Sequence, residues 1–289
     1  MPAATTHIEF ARDVLRNLPR DFEIADRPAF FLGSQGPDLL FYTSFSVLPG
    51  TLKKYGNLLH DARPLPYMTW MRDHATDDIL RSYLYGFYCH YAMDATCHPI
   101  IDAFAEKMSK KTGELHGVCH VRIESQLDVY TLAKEHRTID DFDTDRWLKA
   151  PEKDAREIGT YLHQMFLDNF KLDLPLKKLQ NAPRDIVRSM ALVKPQSGKY
   201  HFVVGMEKLL RQPHGLSALM LNEKEGCPIL NTDHQPYTNL SCPDQTDNSS
   251  YEELYQKSLN KAIRMITNYY PSEITVNYLG IPIKDQPAM

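Results

Sequence analysis

Residues 90–99 read His90-Tyr-Ala-Met-Asp94-Ala-Thr-Cys-His98-Pro99, and residues 116–124 read His116-Gly-Val-Cys-His120-Val-Arg-Ile-Glu124. On an α-helix, residues four apart face the same side and lie about 6 Å apart along the axis, so both can hold one ion. His90 and His98 are about 12 Å apart on a straight helix, which is too far to share an ion. Asp94 lies between them and can bridge two ions. The two stretches therefore predict a helical protein with a cluster of metal ions.

The same spacing also has an ordinary explanation. A histidine and a carboxylate four residues apart form common hydrogen bonds and ion pairs on helix surfaces. Two such pairs so close together in the chain favour metal binding. Single histidines elsewhere in the sequence are expected to be packed or surface side chains.

Helical periodicity extends outward from these stretches over most of the chain. The pattern predicts helices over about 5–17, 77–98, 102–110, 116–135, 151–170, 184–193 and 250–269. The helix that carries His90 is expected to end near His98, because a proline disfavours helical geometry in the residue before it. Strand-like patterns are short and few, with the best at 274–276, and 222–249 is expected to be a long polar loop. The sequence predicts an all-α fold with one multi-helix domain over 1–289, comprising a metal-site half (1–135) and a C-terminal helical half (136–289).

The composition is that of a globular protein of 289 residues, with 43% apolar and 24% charged residues. A net charge of -4 argues against nucleic acid as a partner, because such proteins carry basic patches. Five cysteines without a C-x-x-C pair support neither a disulfide framework nor a zinc finger. The first residues lack a secretion signal, and no apolar run approaches the roughly 18 residues of a membrane span. The sequence predicts a cytoplasmic location, with secretion by another route left open.

Several motifs, taken in order, resemble the bacterial zinc-dependent phospholipase C family, whose fold is related to that of the single-strand-specific zinc nucleases. The resemblance covers about residues 5–130 and, more loosely, 231–234 and 252–262. It rests on Thr6-His7, Phe31-Leu-Gly-Ser-Gln-Gly-Pro-Asp38, Gly56-Asn-Leu-Leu-His60, Gly86-Phe-Tyr-Cys-His90-Tyr-Ala-Met-Asp94, His98-Pro99 and His120-x3-Glu124.

The resemblance implies a set of metal ligands. The first zinc would be held by Asp38, His60, His90 and Asp94, the second by His98, His120 and Glu124, and a third by His7 with Asp94 as the bridge. The nitrogen and oxygen donors suit zinc and leave iron or manganese open. Asp38 is also the family-like general base, although it equally suits a turn residue after Gly36-Pro37. His116 has no place in this scheme and could be an extra ligand, a partner of a ligand, or a surface residue.

The implied activity is hydrolysis of a phosphodiester by water activated at two to three zinc ions. The expected substrate is a phospholipid head group or another small phosphoester. Leu39 and Asn57 stand where choline-preferring members have aromatic residues, so the head group stays open. A zinc nuclease of the related fold is one alternative, disfavoured by the acidic composition and by Glu124 where that branch usually has aspartate. A metal-binding protein without catalysis is the other. The oligomeric state and the role of 222–249 are not predicted.

Overall fold

The computed structural model describes residues 4–46, 51–193, 199–209, 215–218, 220, 226–268 and 271–283. The helices are α1 (Ala4–Asn17), α2 (Arg27–Gly33), α3 (Lys53–Asp61), α4 (Pro64–His74), α5 (Asp78–Thr112), α6 (His116–Lys134), α7 (Asp145–Leu148), α8 (Glu152–Phe170), α9 (Leu176–Val193), α10 (Lys199–Leu209), α11 (Gly215–Ala218) and α12 (Tyr251–Asn268). Three 3-10 helices span Gly36–Ser46, Pro228–Leu230 and Pro271–Glu273, and two strands span Tyr237–Thr238 (β1) and Thr246–Asp247 (β2). The predicted all-α fold is confirmed.

Helix α5 is the longest element, with 35 residues, and it forms the centre of the fold. It begins where the Asp77 side chain accepts a hydrogen bond from the Leu80 backbone N–H (2.9 Å), and it ends at Gly113 in the left-handed conformation (φ 75°). The predicted end of this helix near His98 is wrong, because α5 continues through Pro99 to Thr112. An interior proline costs about 3 kcal/mol. Burial of apolar side chains such as Ile100 and Ile101 offsets it, at about 1.5–3 kcal/mol each.

Helix α2 lies against α5 at very short backbone distance. A Cβ atom added to Gly86 would lie 2.0 Å from the Phe30 carbonyl oxygen, and one added to Gly33 would lie 2.0 Å from the Tyr83 carbonyl oxygen. Only glycine at both positions allows this approach. The contact places the segment after α2, which contains Asp38, beside the middle of α5.

Helices α1 and α6 are joined by a buried hydrogen-bonded pair. The Thr6 backbone N–H and its hydroxyl both donate to Asp128 Oδ1, each at 2.7 Å. Asp128 thereby binds the first turn of α1, where backbone N–H groups have no partner within the helix. This contact fixes the position of His7, the next residue.

The C-terminal half differs from the prediction in detail. Helix α9 begins at Leu176, earlier than expected, and contains Pro183. The strand expected at 274–276 is reduced to one bridge between Val276 and Pro282. In the predicted loop, β1 and β2 pair antiparallel, while 222–225 lie outside the described residues, as does residue 269 at the predicted end of α12. In the described part of the chain, no helix has both the length and the apolar character that crossing a bilayer requires.

Candidate metal centre

All eight predicted ligands lie on one side of α5. Helix α5 contributes three of them in a single row, His90, Asp94 and His98, and the other five come from α1, the 3-10 helix Gly36–Ser46, α3 and α6. Seven of the eight residues are buried, and His120 is half-buried. The structure therefore brings together residues that are more than 100 positions apart in the sequence, namely His7, Asp38, His60, His90, Asp94, His98, His120 and Glu124.

Asp94 faces different histidines with its two carboxylate oxygens. Its Oδ1 lies 3.3 Å from His7 Nε2. Its Oδ2 lies 3.1 Å from His90 Nε2 and 3.4 Å from His60 Nε2. His60 Nε2 is also 3.4 Å from Asp38 Oδ1. The two oxygens thus face different histidine nitrogens, and the bridging role of Asp94 stays a prediction.

A second group lies farther along α5, where this helix faces α6. His120 Nε2 is 3.2 Å from Glu124 Oε1, and His98 Nε2 is 4.0 Å from the same oxygen. His98 thus belongs with α6 rather than with His90, as the 12 Å estimate for residues eight apart requires. Pro99 does not prevent this, although the helix end expected there is absent.

In three of the five histidine rings, the nitrogen on the opposite side contacts a backbone carbonyl. Nδ1 of His60 is 2.8 Å from the Gly56 carbonyl oxygen, Nδ1 of His90 is 3.1 Å from that of Ser34, and Nδ1 of His98 is 2.7 Å from that of Tyr278. In these contacts Nδ1–H donates, which leaves the Nε2 lone pair for a metal. No side-chain pattern in the sequence reveals such carbonyls, so the sequence analysis missed them.

Asp102 is the side chain that the sequence analysis missed. Its Oδ1 lies 2.7 Å from His120 Nδ1, so it holds the fourth ring as the carbonyls hold the other three. The signal was present, because Asp102 continues the four-residue spacing of His90, Asp94 and His98. It was lost because α5 was expected to stop at Pro99.

His116 lies beside Asp102. Its Nε2 is 3.3 Å from the Asp102 carbonyl oxygen and 3.8 Å from its Oδ1. It belongs to none of the three sets of donor atoms that lie close enough together to hold an ion. Of the three alternatives for His116, a partner of the ligand region is the one that this position favours.

The Gly36 backbone lets the segment with Asp38 approach α5. Gly36 has a φ of +49°, which favours glycine, and a Cβ atom there would lie 2.3 Å from the His90 ring. The turn expected around Gly36-Pro37 and the orientation of Asp38 toward the centre are therefore compatible. Asp38 can therefore be a turn residue and also face the metal centre.

The charges at this centre fit a metal. Burial opposes ionisation of Asp94, but His90 and His98 hold the pKa of its carboxyl well below the usual range. Burial likewise lowers the pKa of His120, yet Glu124 and Asp102 raise it to about 10. His90 Nε2 is buried and, although Asp94 Oδ2 lies 3.1 Å away, it has no hydrogen-bond partner among the described residues. Three sets of donor atoms, each within 4.8 Å of one another, offer only the nitrogen and oxygen that zinc accepts.

A cleft of about 660 Å³ opens onto the centre and reaches Asp38, His60, His98, His120 and Glu124. This volume suits a small-molecule site. Lys53 and Asn57 contribute a polar wall, whereas an apolar wall consists of Phe41, Leu115, Val118, Val121 and Leu279. The C-terminal half thus contributes to the site through Leu279 and the Tyr278 carbonyl.

Comparison with known proteins agrees with the geometry. The family model described as zinc dependent phospholipase C matches residues 6–181, more than half of the chain and a range that contains all eight predicted ligands. Searches of curated proteins and of solved structures gave no match. Candidate metal-binding groups and the family match lead to the same conclusion. The chain belongs to the zinc-dependent phospholipase C family.

Proposed function

We propose that this protein hydrolyses a phosphodiester of a phospholipid or of a related small phosphoester with two to three zinc ions. The observation that carries the proposal is the position of Asp94, whose two oxygens face His7 on one side and His60 and His90 on the other. One carboxylate shared between histidine groups at the end of a cleft suits a site with several ions. The family match supports zinc and a lipid substrate.

The proposed ligand sets are supported by the contacts around Asp94 and by those between α5 and α6. Asp38, His60, His90 and Asp94 would hold the first ion, His98, His120 and Glu124 the second, and His7 with Asp94 a third. Bound zinc would lower the pKa of a bound water toward neutrality and would stabilise negative charge on the phosphate oxygens. Asp102 and the carbonyls of Ser34, Gly56 and Tyr278 orient the histidine rings.

Asp38 is the proposed general base. It lines the cleft, and the chain holds it beside His60. It would accept a proton from the attacking water as the water oxygen bonds to phosphorus. The bond between phosphorus and the alcohol oxygen breaks, and the leaving alkoxide takes up the proton that Asp38 accepted, either directly or through solvent, which returns Asp38 to the carboxylate. A positioned base of this kind contributes roughly 10²- to 10⁴-fold to the rate.

The polar wall of the cleft supports a head group other than choline. Lys53 would repel a quaternary ammonium, and Asn57 offers an amide in place of an aromatic ring, which binds such cations. Leu39, at the other position where choline-preferring members have an aromatic residue, is fully buried and offers no ring to a head group. Hydroxyl-bearing or anionic head groups fit an ammonium and an amide better. We therefore propose phosphatidylglycerol-like substrates ahead of phosphatidylcholine.

Metal analysis and substrate comparison test the proposal together. Purified protein should carry two to three zinc ions per chain by mass spectrometry and should hydrolyse phosphatidylglycerol faster than phosphatidylcholine or single-stranded DNA. Fewer than two ions per chain would contradict the metal cluster. Preferred cleavage of the DNA would favour the nuclease, and bound zinc without hydrolysis would favour a metal-binding protein.

The Asp94→Asn variant tests the bridge directly. Asparagine keeps the size of the side chain but removes the charge that faces four histidines, so at least one ion per chain should be lost. Activity should fall by more than the roughly 10- to 100-fold that follows loss of an outer partner of a ligand. Asp173→Asn is the matched control, since the Asp173 side chain is 84% exposed. Unchanged zinc content and activity in the Asp94 variant would refute the bridging role.

The cytoplasmic location is also part of the proposal. Fractionation of the native host tests it, and recovery of the protein outside the cell would contradict it.

A further inference from the structure

Helix α10 exposes an apolar stripe that the metal centre does not use. Phe202 is 68% exposed, Met206 is 38% exposed and Leu209 is 76% exposed. At about 100° per residue, Met206 and Leu209 lie within about 40° of Phe202 around the helix axis, so the three side chains form one line. Phenylalanine and leucine at such exposure, on one face of one helix, indicate an interaction surface.

The exposed charge on α10 is positive. It belongs to Lys208, and His201 is exposed beside the stripe as well. The acidic residue of α10, Glu207, is buried instead and accepts a hydrogen bond from the Ser217 backbone N–H (3.1 Å). The outward part of α10 thus presents apolar side chains next to a lysine, as do helices that lie in the surface of an anionic bilayer.

The position of α10 relates this stripe to the metal centre. Tyr200 of α10 lines a small gap together with Arg122 and Gln126 of α6, the helix that carries His120 and Glu124. Ser125 of α6 donates to the Ala218 carbonyl of α11 (2.6 Å). Leu115, the residue just before α6, is 65% exposed and lines the cleft. Exposed apolar side chains therefore occur beside the start of α6 and on the helix that contacts its middle.

We propose that α10 docks the protein on an anionic phospholipid surface through Phe202, Met206 and Leu209. A lipid surface fits better than a protein partner, because the stripe is narrow, lies next to the positive charge of Lys208 and packs against the helix that carries part of a site with a proposed lipid substrate. The choice of a lipid surface rests on the proposed function, because that function supplies the lipid substrate. Insertion of the three side chains into the headgroup region removes their apolar area from water, while Lys208 stays at the phosphates.

Vesicle sedimentation tests the docking without reference to catalysis. The zinc-loaded protein is mixed in the cold with vesicles of phosphatidylcholine alone or with added phosphatidylglycerol. Wild type should bind the mixed vesicles more tightly. The double variant Phe202→Ser, Leu209→Ser should lose about tenfold or more in affinity, since two large apolar side chains no longer insert.

A matched control separates the helix from general surface hydrophobicity. The double variant Leu176→Ser, Leu240→Ser removes two side chains that are 38% and 43% exposed elsewhere, and it should bind as wild type does. Zinc content and thermal unfolding of both variants should stay unchanged, because all four side chains are exposed. Equal binding by wild type and the α10 variant would overturn the proposal.

Activity assays then distinguish this proposal from the proposed function. The α10 variant should keep its rate on a water-soluble short-chain diester and lose rate on vesicle lipid. If the α10 variant loses vesicle binding but the wild-type protein has no phosphodiesterase activity, the docking proposal stands and the proposed function is refuted. If the variant instead changes only from dimer to monomer on a sizing column, the stripe is a self-association surface and the docking proposal is wrong.

Discussion

His60, His90, His98 and His120 are each oriented through Nδ1 before any metal binds. Three rings use backbone carbonyls and the fourth uses Asp102. Such outer contacts fix the tautomer and the plane of each ring, so little rearrangement is needed on binding. His7 is different, since its buried Nδ1 has no hydrogen-bond partner among the described residues. Within the described part of the chain, the His7 ring therefore lacks the outer contact that orients the other four rings.

Removal of the Asp102 carboxylate should weaken zinc binding at the group that contains His120 and Glu124 of α6. In Asp102→Ala, His120 loses the acceptor that lies 2.7 Å from its Nδ1, and zinc affinity at that group should fall by roughly 10- to 100-fold. Asp102→Asn keeps an acceptor oxygen and should lose less. Competition with a chelator measures the affinity. His116→Gln is the control, because it leaves the contact between Asp102 and His120 in place. Equal affinity in all three variants would show that Asp102 does not position His120.

Among the elements, α5 shows both the reach and the limit of sequence reasoning. The four-residue spacing identified His90, Asp94 and His98 because that spacing is a property of any α-helix. It missed Asp102 because a local rule about Pro99 was applied to a helix whose packing on both sides outweighs that rule. The carbonyl of Tyr278 was beyond reach, since its approach to His98 depends on how distant segments pack.

The contact between α2 and α5 should not tolerate a side chain at Gly86. In Gly86→Ala, the new Cβ meets the Phe30 carbonyl oxygen at 2.0 Å, and the free energy of unfolding should fall by about 1–3 kcal/mol or more. Gly205→Ala is the matched control within a helix, because no atom lies within 4 Å of its added Cβ. It should be neutral or stabilise by about 0.5–1 kcal/mol. Denaturant unfolding of both variants checks this, and equal stability would contradict the close approach.

The pair that joins α1 to α6 should make stability depend on pH. Burial raises the pKa of Asp128 to about 7, although hydrogen bonds from Thr6 act to lower it. The folded protein therefore holds this proton more tightly than the unfolded chain does. That contribution to stability is fully present below pH about 3.8 and is lost as pH rises through about 7.

Asp128→Asn should remove this loss. The amide oxygen can accept both Thr6 hydrogen bonds, and nothing is left to ionise, so the melting temperature of the variant should decline less than that of wild type between pH 4 and 7. Thermal unfolding across this range measures the difference. Parallel curves for the two proteins would show that Asp128 does not carry the raised pKa.

At the scale of the whole molecule, protons and zinc compete for the same centre. In the metal-free protein, burial lowers the pKa of His120, but Glu124 and Asp102 raise it to about 10, so the ring carries a proton at neutral pH. This raised pKa contributes stability that is fully present below pH about 6.5 and is lost as pH rises through about 10. Zinc requires the neutral ring and supplies the positive charge itself.

The stabilisation by zinc should therefore grow with pH. At about 100 times the dissociation constant, one bound ion adds about 2.7 kcal/mol, which raises the melting temperature by about 5 °C or more. The difference in melting temperature between zinc-loaded and chelated protein should widen from pH 6.5 to 10, because only the chelated form loses the stability contributed by protonated His120. The loss at Asp128 affects both forms and cancels in the difference. Paired thermal unfolding curves at several pH values measure this gap. A gap that narrows over this range would contradict the competition, since it would mean that the zinc ligands are not the groups that hold these protons.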